Sequence, residues 1–149
     1  MAKINVAING LGRIGRAFLK MAVKRDEINI VAVNDLGDIN NFAYLLKYDS
    51  AYGQSGLDIK VDGSNLIIEG KAIKFLSEKD PANLPWGDLK VDVVIESTGI
   101  FDSYEKSKAH LDAGARKVVI SAPVKAEPVA GITSAMVLMG INDEQLATC

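Results

Sequence analysis

A doubly wound α/β fold, with a mostly parallel sheet covered on both faces, is predicted by three features of this 149-residue chain. Short β-branched apolar runs alternate with helical patterns; the first run turns straight into a glycine-rich segment that opens a helix; and turn signals in the middle replace one crossover helix with a small antiparallel meander. The elements follow in order. Ile4 to Asn9 is the first strand, apolar on both faces as a buried parallel strand is. The helix behind the glycines repeats Ile14, Ala17, Phe18, Met21 and Ala22 at spacings of three and four, which predicts one apolar face. Ile28 to Asn34 is the second strand, and Asp38 suits the N-cap of a helix carrying Phe42, Leu45 and Leu46. From Leu57 to Phe75, Asp62-Gly63 and Glu69-Gly70 separate short apolar strands and predict the meander. Val91 to Glu96 and Lys117 to Ser121 are further strands, and between them Ser103 caps a helix that runs through Leu111 to Ala113 and ends at Gly114. Ala135 to Gly140 is predicted as the last strand. No repeat, low-complexity tract or linker interrupts the chain, so residues 1–149 are read as one domain.

The glycines give the first strand its chemical meaning. Gly10-Leu11-Gly12-Arg13-Ile14-Gly15 begins where the strand ends, at Asn9. Gly10 permits the tight turn, Gly12 lets a pyrophosphate approach bare backbone, Gly15 lets the helix pack closely on the sheet, and the helix start aims N–H groups at the ligand. A bare GxGxxG arises by chance in a chain with 13 glycines. The strand before it and the helix after it make it a dinucleotide fingerprint of the Rossmann type. Asp35, at the tip of the second strand, is the acid expected some twenty residues on, placed to accept both hydroxyls of an adenosine ribose. Taken alone it would read as a turn or cap residue before Gly37.

In this topology the ligand crevice opens between the first and fourth strands, beyond their carboxyl ends. The loop after the fourth strand brings Thr98 and Gly99, a hydroxyl and a close backbone approach, and Phe101 as an apolar wall for an adenine. The alternative for this loop is a plain strand-to-helix connection without a ligand.

Composition narrows the function classes. With 48% hydrophobic residues, 24% charged residues and a net charge of −2, the chain is ordinary for a globular domain. Lys and Arg are dispersed, which argues against strong nucleic-acid binding. The apolar runs Val91 to Ile95 and Met136 to Met139 fall far short of the about 20 residues a membrane span needs, and a cytoplasmic location is expected. Cys149 is the single cysteine, so no internal disulfide or multi-cysteine metal site forms. With His110 as the single histidine a zinc site is not expected either. His110 follows charged residues on a helix and is read as a solvated surface side chain.

Five blocks carry a resemblance: Asn9-Gly10-Leu11-Gly12-Arg13-Ile14-Gly15-Arg16, Leu45-Leu46-Lys47-Tyr48-Asp49-Ser50, Asp80-Pro81-Ala82-Asn83-Leu84-Pro85-Trp86, Glu96-Ser97-Thr98-Gly99 and Ser121-Ala122-Pro123. In this order they resemble the phosphorylating glyceraldehyde-3-phosphate dehydrogenases, over nearly the whole chain but only over that family's N-terminal, coenzyme-binding half. The resemblance implies NAD as cofactor, with Arg13 and Ile14 holding the pyrophosphate through backbone N–H groups and Asp35 holding the adenosine ribose. It places Lys79 beside the adenine, Thr98 and Gly99 along the crevice and Ser121 near the nicotinamide end; Asn9, Gly10, Gly12 and Phe101 are expected among the cofactor-binding residues with them. It also implies a glycolytic oxidoreductase that captures its aldehyde on a thiolate, passes hydride to NAD and releases the acyl group to phosphate, and whose full-length chains form homotetramers.

The chain departs from the family pattern at Leu11, Ala51-Tyr52 and Asp102, and Lys125 to Ala135 looks longer than the usual link. The family's nucleophile block, Ser-Asn-Ala-Ser-Cys-Thr-Thr-Asn, is not among these residues. Cys149 follows Gln145-Leu146-Ala147-Thr148 and is read as an ordinary thiol, and the family's catalytic histidine belongs to the second half. No catalytic residue is therefore expected in residues 1–149, the catalytic domain being absent. Two other readings stay open: a freestanding dinucleotide-binding regulatory module, and an interaction module that takes a nucleotide or RNA in the same groove.

Overall fold

A computed structural model describes residues 3–124 and 129–149. Seven strands form one sheet in the order β5-β6-β7-β2-β1-β8-β9. They are β1 (Ile4–Asn9), β2 (Ile28–Asn34), β5 (Ile59–Asp62), β6 (Asn65–Ile68), β7 (Lys71–Leu76), β8 (Val93–Glu96) and β9 (Lys117–Ile120). Neighbours from β7 through β9 run parallel, whereas β5, β6 and β7 form the antiparallel meander turning at the expected Asp62-Gly63 and Glu69-Gly70. The meander does not stand in for a crossover helix: the helix over Ile39–Lys47 lies on the connection from β2 to its parallel neighbour β7, and the crossover without an α-helix is the next one, from β7 to β8, which holds only the 3-10 turn Pro81–Asn83. The helices are α1 (Arg13–Ala22), α2 (Ile39–Lys47) and α3 (Tyr104–Asp112). Asp38 caps α2 through Asn41 N at 3.0 Å, and Ser103 caps α3 through Lys106 N at 3.2 Å. A two-stranded hairpin, β3 (Tyr48–Asp49) and β4 (Gly53–Gln54), stands outside the main sheet.

The pleat divides the core. Val6 and Ile8 of β1 and Val33 of β2 face one side, packed with Leu19 and Ala22 of α1, Phe42 and Leu46 of α2, and the meander. Ala7, Ala32 and Val94 face the other side, against Leu84, Trp86 and Val91. Apolar burial on both faces is what the runs Val6-Ala7-Ile8 in β1 and Ile30-Val31-Ala32-Val33 in β2 require. No helix among the described residues is long and apolar enough to cross a membrane.

At three further places the fold departs from the sequence pattern. Helix α1 buries Gly15, Leu19 and Ala22, while Ile14 and Met21 are exposed, because the helix is drawn onto the sheet at Gly15 and the packed stripe is rotated accordingly. The fourth parallel strand starts at Val93; Val91 instead donates its N–H to Trp86 O in the turn before it. Residues 135–140 form no strand. Their backbone groups are taken locally, with Leu138 N bonded to Asn142 Oδ1, Gly140 N to Asp143 Oδ1 and Met136 O to Asn142 Nδ2, so they are not offered to the open edge of β9. A short 3-10 helix, Asp143–Thr148, follows. The long link expected at Lys125 to Ala135 lies partly outside the described residues.

Candidate functional site

Strand β1 pairs with β2 on one side and β8 on the other, so the direction of the winding reverses at β1. Beyond the carboxyl ends of these strands lies a cleft of about 350 Å³. Asn9, Gly10 and Gly12 form its floor, Asp35 and Leu36 one wall, Thr98, Ile100 and Phe101 the other, and Glu78, Lys79 and Pro81 close the end beside β2.

At Gly10 and Gly15 backbone contacts leave no room for a side chain. Gly10 has φ +94°, and a Cβ there would lie 2.7 Å from Thr98 N. A Cβ on Gly15 would lie 2.0 Å from Gly10 O, which is the close helix-to-turn contact expected of the third glycine. Around Gly12 there is open space, with nothing within 4 Å of where a Cβ would stand. Gly12 is also the N-cap of α1 and supplies no capping side chain, so the first-turn N–H groups are left for a ligand. Ser97 Oγ donates to Gly10 O at 2.7 Å and Arg16 Nη1 to Leu11 O at 3.0 Å, fastening the turn from both sides.

Asp35 projects toward the same turn: Oδ2 accepts from Leu11 N at 2.7 Å and Oδ1 from Gly37 N at 3.0 Å. Each oxygen keeps a second lone pair for a hydroxyl. Asn9, Gly10, Gly12, Asp35, Lys79, Thr98 and Phe101 therefore meet in one cleft. Arg13 and Ile14 follow Gly12 and Gly99 follows Thr98; all three are exposed, and none of them lines the cleft. Ser121 follows β9, where its N–H extends the ladder to Glu96 O at 3.0 Å. It lines a separate groove of about 670 Å³ between α3, β9 and residues 131–138. From the tip of β2 to that of β9 is three strand spacings, about 14 Å.

Beneath the cleft is a row of buried polar side chains. Asn9, Asn34 and Glu96 end their strands in register. Glu96 accepts from Asn9 Nδ2 at 2.6 Å, His110 Nε2 at 2.8 Å, Thr98 N at 2.8 Å and Thr98 Oγ1 at 2.5 Å. Burial presses the Glu96 carboxyl toward neutrality, but the bonds from His110, Thr98 and Asn9 outweigh it and hold its pKa below the ordinary value. His110 is thus not a surface residue: it is fully buried, between Glu96 and Trp86 Nε1, which donates to Nδ1 at 3.0 Å. Helix α3 buries Ser107 and His110 because its inner face meets a polar strand end rather than an apolar one. Asn34, Leu36, Glu78, Pro81, Ser97 and Ile100 line the cleft beside the expected residues. The sequence signal for the polar row was available: Asn9, Asn34 and Glu96 each close an apolar run. Among the described residues no cluster of His, Cys, Asp or Glu could hold a metal ion. Cys149 is a free thiol that donates to Gln145 O, far along the chain from the cleft.

The family model "Glyceraldehyde 3-phosphate dehydrogenase, NAD binding domain" matches residues 4–104, which include every cleft-lining residue. Similar curated proteins are the glyceraldehyde-3-phosphate dehydrogenase of Geobacillus stearothermophilus, 47% identical over 142 residues, and that of Cochliobolus heterostrophus, 51% identical over 142 residues. A third is glyceraldehyde-3-phosphate dehydrogenase 1 of Bacillus subtilis (strain 168), 44% identical over 142 residues. Each alignment covers 95% of this chain but only 40 or 41% of the relative, so the chain spans about two fifths of the length of the curated relatives it matches.

Proposed function

The chain belongs to the glyceraldehyde 3-phosphate dehydrogenase family through its NAD-binding domain, and from that premise we propose that it is the coenzyme-holding part of a phosphorylating, NAD-dependent aldehyde dehydrogenase of glycolysis. The observation that carries the reading is the convergence of a bare-backbone turn, an uncapped helix start and the Asp35 carboxylate in one cleft at the point where the sheet winding reverses. The pyrophosphate sits over Gly12 against the first N–H groups of α1, those of Arg13 and Ile14. Asp35 accepts the adenosine ribose hydroxyls. Leu36, Pro81 and Phe101 supply apolar walls for the adenine, with the Lys79 side chain beside it. Thr98 and Gly99 flank the crevice toward the nicotinamide, and Ser121, outside the cleft at the end of β9, lies in the direction in which the nicotinamide end would extend.

NAD supplies the hydride acceptor, and these residues bind and orient it. In the whole protein the nucleophile and base come from the catalytic half, the chains assemble as homotetramers, and the enzyme acts in the cytoplasm. Residues 1–149 by themselves hold the coenzyme without turnover. The test is calorimetric titration of the purified chain with NAD: binding with one site per chain supports the reading, and no heat at millimolar NAD refutes it.

A further inference from the structure

The hydrogen bonds of the buried polar row converge on Glu96 from both sides. Trp86 Nε1 can only donate, so His110 Nδ1 accepts its proton at 3.0 Å and the imidazole carries its own proton on Nε2, toward Glu96 Oε2 at 2.8 Å. Asn9 Nδ2 reaches the same oxygen at 2.6 Å, and Thr98 N and Oγ1 reach Oε1. Asn9 Oδ1 then accepts from Asn34 Nδ2 at 2.7 Å. Asn34 closes on the Glu78 backbone, donating to its O at 2.9 Å and accepting from its N at 2.8 Å. The chain crosses the ends of β8, β1 and β2, and its members Thr98, Asn9, Asn34 and Glu78 all line the cleft, whereas Glu96, His110 and Trp86 do not.

Only an ionised carboxylate accepts on both oxygens, and four donors from three segments meet on Glu96. An amide in its place would set an N–H₂ group either against the Thr98 N–H or against His110 and Asn9. Were Asn9 to turn in response, Asn34 would have to turn as well, and its N–H₂ would then face the Glu78 N–H. The polarity of the chain is therefore decided at Glu96 and transmitted to the cleft wall.

We propose that Glu96, held by the Nε2–H tautomer of His110, is a positioning residue for the coenzyme, orienting Thr98 and Asn9 directly and Asn34 with Glu78 through Asn9. The proposal rests on the coenzyme reading of the cleft. It also accounts for a histidine and a tryptophan indole being buried behind a binding wall neither of them touches.

The test has two arms on the 149-residue chain. In the first, ¹⁵N NMR of the imidazole, assigned without ambiguity because His110 is the single histidine, needs no ligand: an unprotonated Nδ1 and a protonated Nε2 at neutral pH are expected, and an Nδ1–H tautomer or rapid averaging of the two overturns the proposal. In the second, NAD is titrated into the wild type and Glu96→Gln. The variant should bind at least about tenfold more weakly with an unchanged circular dichroism spectrum, and wild-type affinity in a folded variant overturns the proposal. If Glu96→Gln does not fold, Asn34→Asp carries this arm, since it sets acceptors against Asn9 Oδ1 and Glu78 O at the other end of the chain; a similar loss is expected, and wild-type affinity overturns the proposal. A wild type that binds no NAD refutes the coenzyme reading and this proposal with it, whereas a wild type that binds NAD beside a folded variant of equal affinity overturns the proposal alone.

Discussion

Replacing Gly15 and Gly12 by alanine separates what the glycine turn does for the fold from what it does for the ligand. At Gly15 the added Cβ would stand 2.0 Å from Gly10 O, 3.0 Å from Ser97 Oγ and 3.1 Å from Gly10 C. Ser97 Oγ can rotate away at the loss of its bond to Gly10 O, but a backbone carbonyl cannot, so α1 must move off the turn by more than an ångström to reach ordinary contact. Overpacking of this kind costs about 1–3 kcal/mol, and a shifted helix also loosens the seat of Leu19 and Ala22 in the core. Alanine returns about 1 kcal/mol of helix propensity, which leaves a net loss of about 2 kcal/mol when the clash lies at the upper end. At about 2–4 °C per kcal/mol for a chain of this size, Gly15→Ala lowers Tm by about 4–8 °C. Gly12→Ala meets nothing within 4 Å and has an ordinary φ of −70°. Its apo stability changes by no more than about 1 kcal/mol from the altered N-cap, but its methyl occupies the ground proposed for the pyrophosphate, so NAD affinity falls about tenfold or more. Thermal melts without ligand and NAD titrations of both variants check this. A Gly15→Ala chain as stable as wild type, or a Gly12→Ala chain with undiminished NAD affinity, refutes the reasoning.

Asp35→Ala removes an acceptor of charge-assisted hydrogen bonds, worth about 1.5–3 kcal/mol, so NAD binding should weaken about tenfold or more by titration; the Leu11 N–H it also holds makes some loosening of the turn part of the effect. Leu46→Ala, at a fully buried position of α2, should cost about 2–5 kcal/mol in urea unfolding. Lys20, first, and then the N–H groups of Ala51 and Tyr52 hold the Asp49 pKa at about 2 in the folded chain. The stabilisation is therefore complete above the ordinary carboxylate range, about 4, and is lost as pH falls toward about 2; unfolding midpoints of Asp49→Asn should lack this part of the acid dependence. The purified 149 residues should form no NADH from glyceraldehyde 3-phosphate, NAD and phosphate, and alkylating Cys149 should leave NAD affinity unchanged, as followed by absorbance and titration.

What was legible in the sequence is what is local. The strand from Ile4 to Asn9, the glycine turn, the caps at Asp38 and Ser103 and the two meander turns each rest on residues within a few positions of one another, and each is found where the pattern puts it. Cleft residues on separate strands were legible only because a doubly wound sheet brings its strand tips together. His110 was misplaced because α3 has polar residues all round, and what selects its buried face is Glu96 on a neighbouring strand, visible only once register is known. Ile14 and Met21 fit an apolar helical stripe, yet the contact at Gly15 turns that stripe toward solvent. Residues 135–140 have the composition of a strand, but Asn142 and Asp143 capture their backbone groups first.

Parallel titrations of the unmodified chain with NAD and NADP decide whether Asp35 receives the adenosine ribose of NAD, as proposed for this cleft. A ribose phosphate would meet the Asp35 carboxylate where the hydroxyls of NAD find acceptors, so NAD should bind at least about tenfold more tightly, a difference of about 1.4 kcal/mol, and Asp35→Ala should narrow the gap. Equal affinity for the two coenzymes in the unmodified chain would contradict the account.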